Sequence, residues 1–76
     1  MRKILDINYD GFRYKAYFDE EEVSAQRFRL YKIYWAMGKN GYTTERKMLL
    51  AKYSDLEYVF DHLRGNWIAR RPSGGK

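Results

Sequence analysis

Apolar and polar residues alternate most cleanly at the start of the chain, in KILDINYDGFRYKAYF. Asp10-Gly11 breaks the alternation at its centre, and Asp-Gly is a preferred pair for a two-residue hairpin turn. Pairing outward from that turn sets Tyr9 opposite Phe12, Ile7 opposite Tyr14 and Leu5 opposite Ala16, all on one face. The other face takes Asn8 with Arg13, Asp6 with Lys15 and Ile4 with Tyr17. Side chains alternate sides along a strand, so a one-residue slip would break both the apolar face and the Asp6–Lys15 charge pair.

Four acidic residues, Asp19, Glu20, Glu21 and Glu22, end this hairpin, and 23–26 reads as a connector. Charges this dense need water, a helix N-terminus or a basic partner. The middle of the chain carries two patterns. In RFRLYKIYWAM, strand formers alternate, and residues 27–36 and 42–51 would flank a turn at MGKNG. Read at a spacing of three and four, the same region gives Val23, Arg27, Leu30, Tyr34 and Met37. A second series runs through Leu49, Tyr53, Leu56, Phe60, Leu63 and Trp67. That pattern implies ββαα, with helices in 23–37 and 44–64. Two features favour strands. Aromatics on several sides of a helix would be left in water, and Ser54-Asp55-Leu56-Glu57 has the form of a capping box, which starts a helix where another element ends.

A helix over 55–64 is common to both patterns, with Leu56, Val59, Phe60 and Leu63 as its apolar stripe and Gly65-Asn66 as its stop. Trp67 and Ile68 would fold back as an anchor. The expectation is therefore an α+β fold, a four-stranded antiparallel sheet with one C-terminal helix (ββββα). Residues 1–68 would form a single domain and 69–76 a flexible basic tail. One short helix covers one side of such a sheet. The other side, with Ile4, Tyr17 and part of the Tyr31/Ile33/Trp35 stripe, would be left open as a contact surface.

Size and charge narrow the picture. With 76 residues and no Cys, the chain has no disulfide framework and relies on packing, for which eight Tyr, four Phe and two Trp are suited. The net charge of +5 is concentrated at the end: without Arg70, Arg71 and Lys76, 12 basic groups face 10 acidic ones. No stretch has the length of a membrane span and no leader pattern opens the chain, so a cytoplasmic protein without membrane contact is expected.

Little in the sequence supports catalysis. His62 is the single histidine, beside Asp61 on the helix, and Ser24, Thr43, Thr44, Ser54 and Ser73 form no triad pattern with it. Asp19–Glu22 lacks the ligand spacing of a calcium loop, and GKNG lacks the length and hydroxyl of a phosphate loop. No enzyme activity, metal, cofactor or small-molecule substrate is expected.

Binding is the remaining class. Arg27, Arg29, Tyr31 and Trp35 share one side if the segment is a strand, and Arg13, Lys15 and Tyr17 can join them from the first hairpin. Arg46 and Lys47 lie across the second hairpin, though adjacent strand residues point opposite ways. Such a surface suits an inhibitor or adaptor that docks on a protein, since Arg and aromatic residues make effective hot spots. A nucleic-acid-handling complex is one such target, and a second copy of the chain is as natural an occupant. The alternative is direct DNA or RNA binding, with basic groups on phosphates and Tyr or Trp stacking on bases. Asp19–Glu22 opposes that alternative by repelling a nearby backbone. The run YTTERKMLLAKYSDLEYVFDHL resembles the strand–cap–helix end of small sheet-plus-helix domains. These include plant AP2-type and integrase arm-binding DNA domains and some phage-encoded anti-CRISPR inhibitors. The resemblance covers 42–63, implies a sheet braced by one helix, and points both to DNA binding and to inhibition by a phage protein. It assigns no residue roles.

Overall fold

In the computed structural model, four strands precede one helix: β1 (Arg2–Tyr9), β2 (Phe12–Phe18), β3 (Phe28–Met37), β4 (Thr43–Tyr53) and α1 (Leu56–Ala69). The structure describes residues 1–69, with side chains to residue 65. The expected Trp67/Ile68 anchor and the basic tail beyond Ala69 lie outside the described side chains and residues. The strands form one antiparallel sheet in the order β1-β2-β3-β4, which is the ββββα arrangement. The helical alternative for 23–37 and 44–64 is overturned. β3 pairs with β4 along its whole length, from Phe28–Tyr53 to Met37–Thr43.

The first hairpin closes as its turn residues require. Asp10 and Gly11 both have positive φ, 53° and 83°, the geometry of a type I′ turn. From there Tyr9–Phe12, Ile7–Tyr14 and Leu5–Ala16 pair as expected. The register then shifts between Lys3 and Leu5, so Lys3 faces Tyr17, not Ile4. Ile4 packs against the core instead. A bulge of this kind adds one unpaired residue and redirects its side chain. A second irregularity falls between Leu30 and Tyr31: Leu30 pairs with Ala51 and Tyr31 with Leu49, leaving Leu50 as the extra residue. Leu50 also packs against the core.

The core lies on one side of the sheet. Tyr14, Ala16 and Leu30 meet Val59 and Leu63 of α1, and Ala16, Leu30 and Val59 are fully sealed from solvent. Leu5, Ile7, Tyr9, Phe12, Phe28, Leu50, Tyr53 and Leu56 surround this cluster. Asp55, not Ser54, caps the helix, its Oδ1 accepting the Glu57 N–H at 3.1 Å. The helix also continues past Gly65-Asn66 to Ala69. Glycine makes the left-handed stop easy but does not impose it. The Tyr53 hydroxyl is hydrogen-bonded to His62 Nδ1, pinning α1 to the end of β4. His62 thus has a docking partner, and no His/Cys/Asp/Glu group able to hold a metal occurs among the described residues. Cα extents of 46 × 36 × 16 Å leave depth for one sheet and one helix layer. No described helix is long and apolar enough to cross a membrane.

Candidate functional site

The side of the sheet away from α1 brings together seven of the nine expected binding residues. Arg13, Lys15 and Tyr17 come from β2. Arg29, Tyr31, Ile33 and Trp35 come from β3, and Glu45, Lys47 and Leu49 from β4. Two candidates fall elsewhere. β3 begins at Phe28, so Arg27 stands in the connector, where its carbonyl accepts the Asp19 N–H at 2.8 Å. Arg46 pairs with Tyr34 and so points to the helix side, one position out of phase with Lys47.

The basic groups on this side are mostly neutralised from within. Arg13 grips Asp6 with two hydrogen bonds of 3.0 Å, from Nε and Nη2, and also lies 3.5 Å from Glu45. Lys15 donates to Glu45 at 2.8 Å. In the register, Asp6 faces Lys15, but its ion-pair partners are Arg13 and, at 3.4 Å, Lys3. Lys15 reaches past β3 to β4 instead. The Lys15–Glu45 bridge crosses β3 at the level of Ile33, which accounts for Ile33 being only 7% exposed on the side without a helix. The bidentate Arg13 contact pulls the Asp6 carboxyl down to about 2. Lys15, through its hydrogen bond, holds the Glu45 carboxyl below its usual range.

The acidic run supplies the second set of partners. Asp19 Oδ1 accepts the Glu21 N–H at 3.1 Å, and the Glu22 N–H is 3.3 Å from the Asp19 carbonyl. This tight turn folds the carboxylates back onto the sheet. Arg29 Nη2 lies 3.0 Å from Asp19 and 3.5 Å from Glu22, and Lys52 donates to Glu22 at 3.2 Å. Lys52 and then Ser24 keep the Glu22 carboxyl below its usual range. Glu20 reaches the chain's amino group at 3.6 Å, and Glu21 stays exposed. The run expected to repel a polyanion therefore binds the same Arg29 expected to attract one.

The rings divide into two groups. Tyr17 and Tyr31 meet edge-to-face, 5.5 Å between centroids at 83°. The Lys47 ammonium sits 4.6 Å and 4.8 Å from the two ring centres. This cation–π cluster leaves Tyr31 only 7% exposed. Trp35 is different. The last rung between β2 and β3 is Arg13–Ile33, while β3 and β4 continue for four more, from Tyr34–Arg46 to Met37–Thr43. At 3.4 Å per residue the pairing of the second hairpin extends about 14 Å past the last rung it shares with the first. On this arm Trp35 is 65% exposed, and Met37 and Tyr42 are each 71% exposed. The arm's loop is well formed: the Gly38 N–H donates to the Tyr42 carbonyl at 2.7 Å, and Gly41 takes φ 84°.

The arm was the part of the surface that the sequence indicated least. Trp35 is among the expected site residues, but the sequence pattern puts Met37 in the MGKNG turn and Tyr42 at the start of the strand after it, neither as a contact residue. The mismatch in length between the hairpins, 8 and 7 residues against 10 and 11, is the signal that could have found them. Compared with protein-family models, curated proteins and solved structures, the chain finds no match in any of the three.

Proposed function

We propose that the chain is a non-enzymatic binding protein, an inhibitor or adaptor that docks on a protein partner through the side of the sheet opposite α1. The observation that carries this reading is the pairing of two facts on that side. Trp35, Met37 and Leu49 are exposed, whereas Arg13, Lys15 and Arg29 each already hold a carboxylate. Exposed Trp and Met on a projecting arm match the residue types enriched in interface centres. Neutralised cations around them suit a polar rim. Such a protein acts by occlusion and needs no catalytic group.

Direct DNA or RNA binding is the competing reading. Its support is the set Arg27, Lys39, Arg46 and Lys47, for which no ion pair is seen among the described residues. It is weakened by the committed state of Arg13, Lys15 and Arg29, and by the small exposure of Tyr31, which limits base stacking there.

The test is a parallel capture from extracts of the native cell with three immobilised chains: unaltered, Trp35→Ser/Met37→Ser, and Tyr58→Ser as an exposed ring on α1. A partner retained by the first and third but not the second supports the reading. Equal retention by all three rejects the arm as the docking surface.

A further inference from the structure

β4 is an edge strand, so every second residue along it directs its backbone N–H and C=O away from the sheet. The other edge, β1, is interrupted at Ile4 by its bulge, which leaves Leu5–Tyr9 as its regular run. On β4 the regular run is Thr43–Leu49, ahead of the extra residue Leu50, and all seven residues are exposed. The sequence of this run is TTERKML. Its one acid, Glu45, is held by Lys15 and Arg13. Its two cations, Arg46 on one side and Lys47 on the other, form no ion pair among the described residues.

We infer that the Thr43–Leu49 edge of β4 receives an extended acidic segment of a partner protein as a fifth strand. The inference rests on the protein-partner reading and specifies its recognition mode. Main-chain hydrogen bonds along an exposed edge supply affinity, and the side chains on the two sides supply selectivity. An antiparallel strand would set apolar residues opposite Leu49 and Met48 and acidic ones opposite Lys47 and Arg46. A second copy of the chain is a weaker occupant: in antiparallel self-pairing about the middle of this run the acid that would face Arg46 or Lys47 is Glu45, which Lys15 and Arg13 already hold, and the other registers set cation opposite cation.

The experiment titrates the full 15N-labelled chain with a blocked heptapeptide, Leu-Val-Glu-Glu-Thr-Thr-Thr. Two controls accompany it: the same peptide with Lys-Lys in place of Glu-Glu, and one N-methylated at alternate residues. The acidic peptide is expected to shift the amide resonances of 43–49 and to slow hydrogen exchange at the outward β4 amides. The basic peptide should bind about tenfold more weakly, and Arg46→Glu/Lys47→Glu should reverse that order. Strand pairing is overturned if no shifts appear at millimolar peptide, if they map to 5–9, or if the N-methylated peptide binds equally well. It is also overturned if sedimentation shows a dimer with protected β4 amides. A captured partner that needs Trp35 and Met37 but leaves β4 amides exchanging freely would remove the strand pairing and leave the docking role standing.

Discussion

Replacing Leu30 with Ala tests which side of the sheet is the core, and therefore which side is bare. Leu30 is sealed from solvent at the middle of β3, with Ala16 and Ala51 as its cross-strand neighbours and Val59 and Leu63 in the cluster above. Two alanines beside it offer little side chain to move into the gap, and paired strands resist collapse. The loss should sit in the middle to upper part of the range for buried Leu→Ala changes, about 3–5 kcal/mol. At ordinary stability per residue, the whole chain holds only about 4–11 kcal/mol. The variant should therefore lose a large share of its stability, or unfold. Trp35→Ala is the matched control: a larger side chain on the same strand, but 65% exposed and on the other side. It should cost under about 1 kcal/mol. Urea unfolding followed by far-UV circular dichroism measures both, with equal slopes expected if both variants unfold in two states. A Leu30→Ala loss below about 1 kcal/mol, or a Trp35→Ala loss exceeding it, would refute the assignment of the core to the helix side.

Three further outcomes follow from local features. Asp6, Glu22 and Glu45 all have lowered folded-state pKa values, Asp6 to about 2, so their stabilising contribution is complete above about pH 5 and is lost as pH falls towards 2. Urea midpoints measured across that window should decline, and Asp6→Asn should flatten the decline; an unchanged slope would contradict the Arg13 pairing. Gly11→Ala should destabilise by about 1–2 kcal/mol, because φ is +83° there although the space around it is open; a neutral result in thermal unfolding would mean the turn is not type I′. Asp55→Ala should cost about 1 kcal/mol while Ser54→Ala costs little, and the reverse order would restore Ser54 as the helix cap.

The two hairpins differ in how openly the sequence declares them. Asp10-Gly11 fixes the first because few pairs accept two positive φ values in succession, and the apolar alternation on either side permits one register. The bulge at Ile4 leaves no such mark. A backbone irregularity changes the side a residue faces without changing its type, so alternation alone sets Ile4 opposite Tyr17. The same effect explains the ambiguity of 42–53. The extra residue at Leu50 breaks strict alternation, and Leu49, Tyr53 and Leu56 then fall by chance at helical spacing. The shared face of Arg29, Tyr31 and Trp35 could be read from alternation alone. Its neutralisation could not, because Glu45 reaches Lys15 across 30 positions, and Asp19 and Glu22 reach Arg29 only through the fold of their turn. Ser54 and Asp55 are both good caps, and only the path of the chain out of β4 decides between them.

The proposed role depends on Arg13, Lys15 and Arg29 of the bare side being occupied by the chain's own carboxylates, leaving the apolar arm to make contact. The most direct measurement is binding of labelled single- and double-stranded oligonucleotides as salt is raised from about 50 mM. Weak binding with a shallow salt slope, unchanged by Arg29→Ala, is the predicted result. Tight binding with a slope worth several phosphates, reduced by Arg13→Ala or Arg29→Ala, would contradict it.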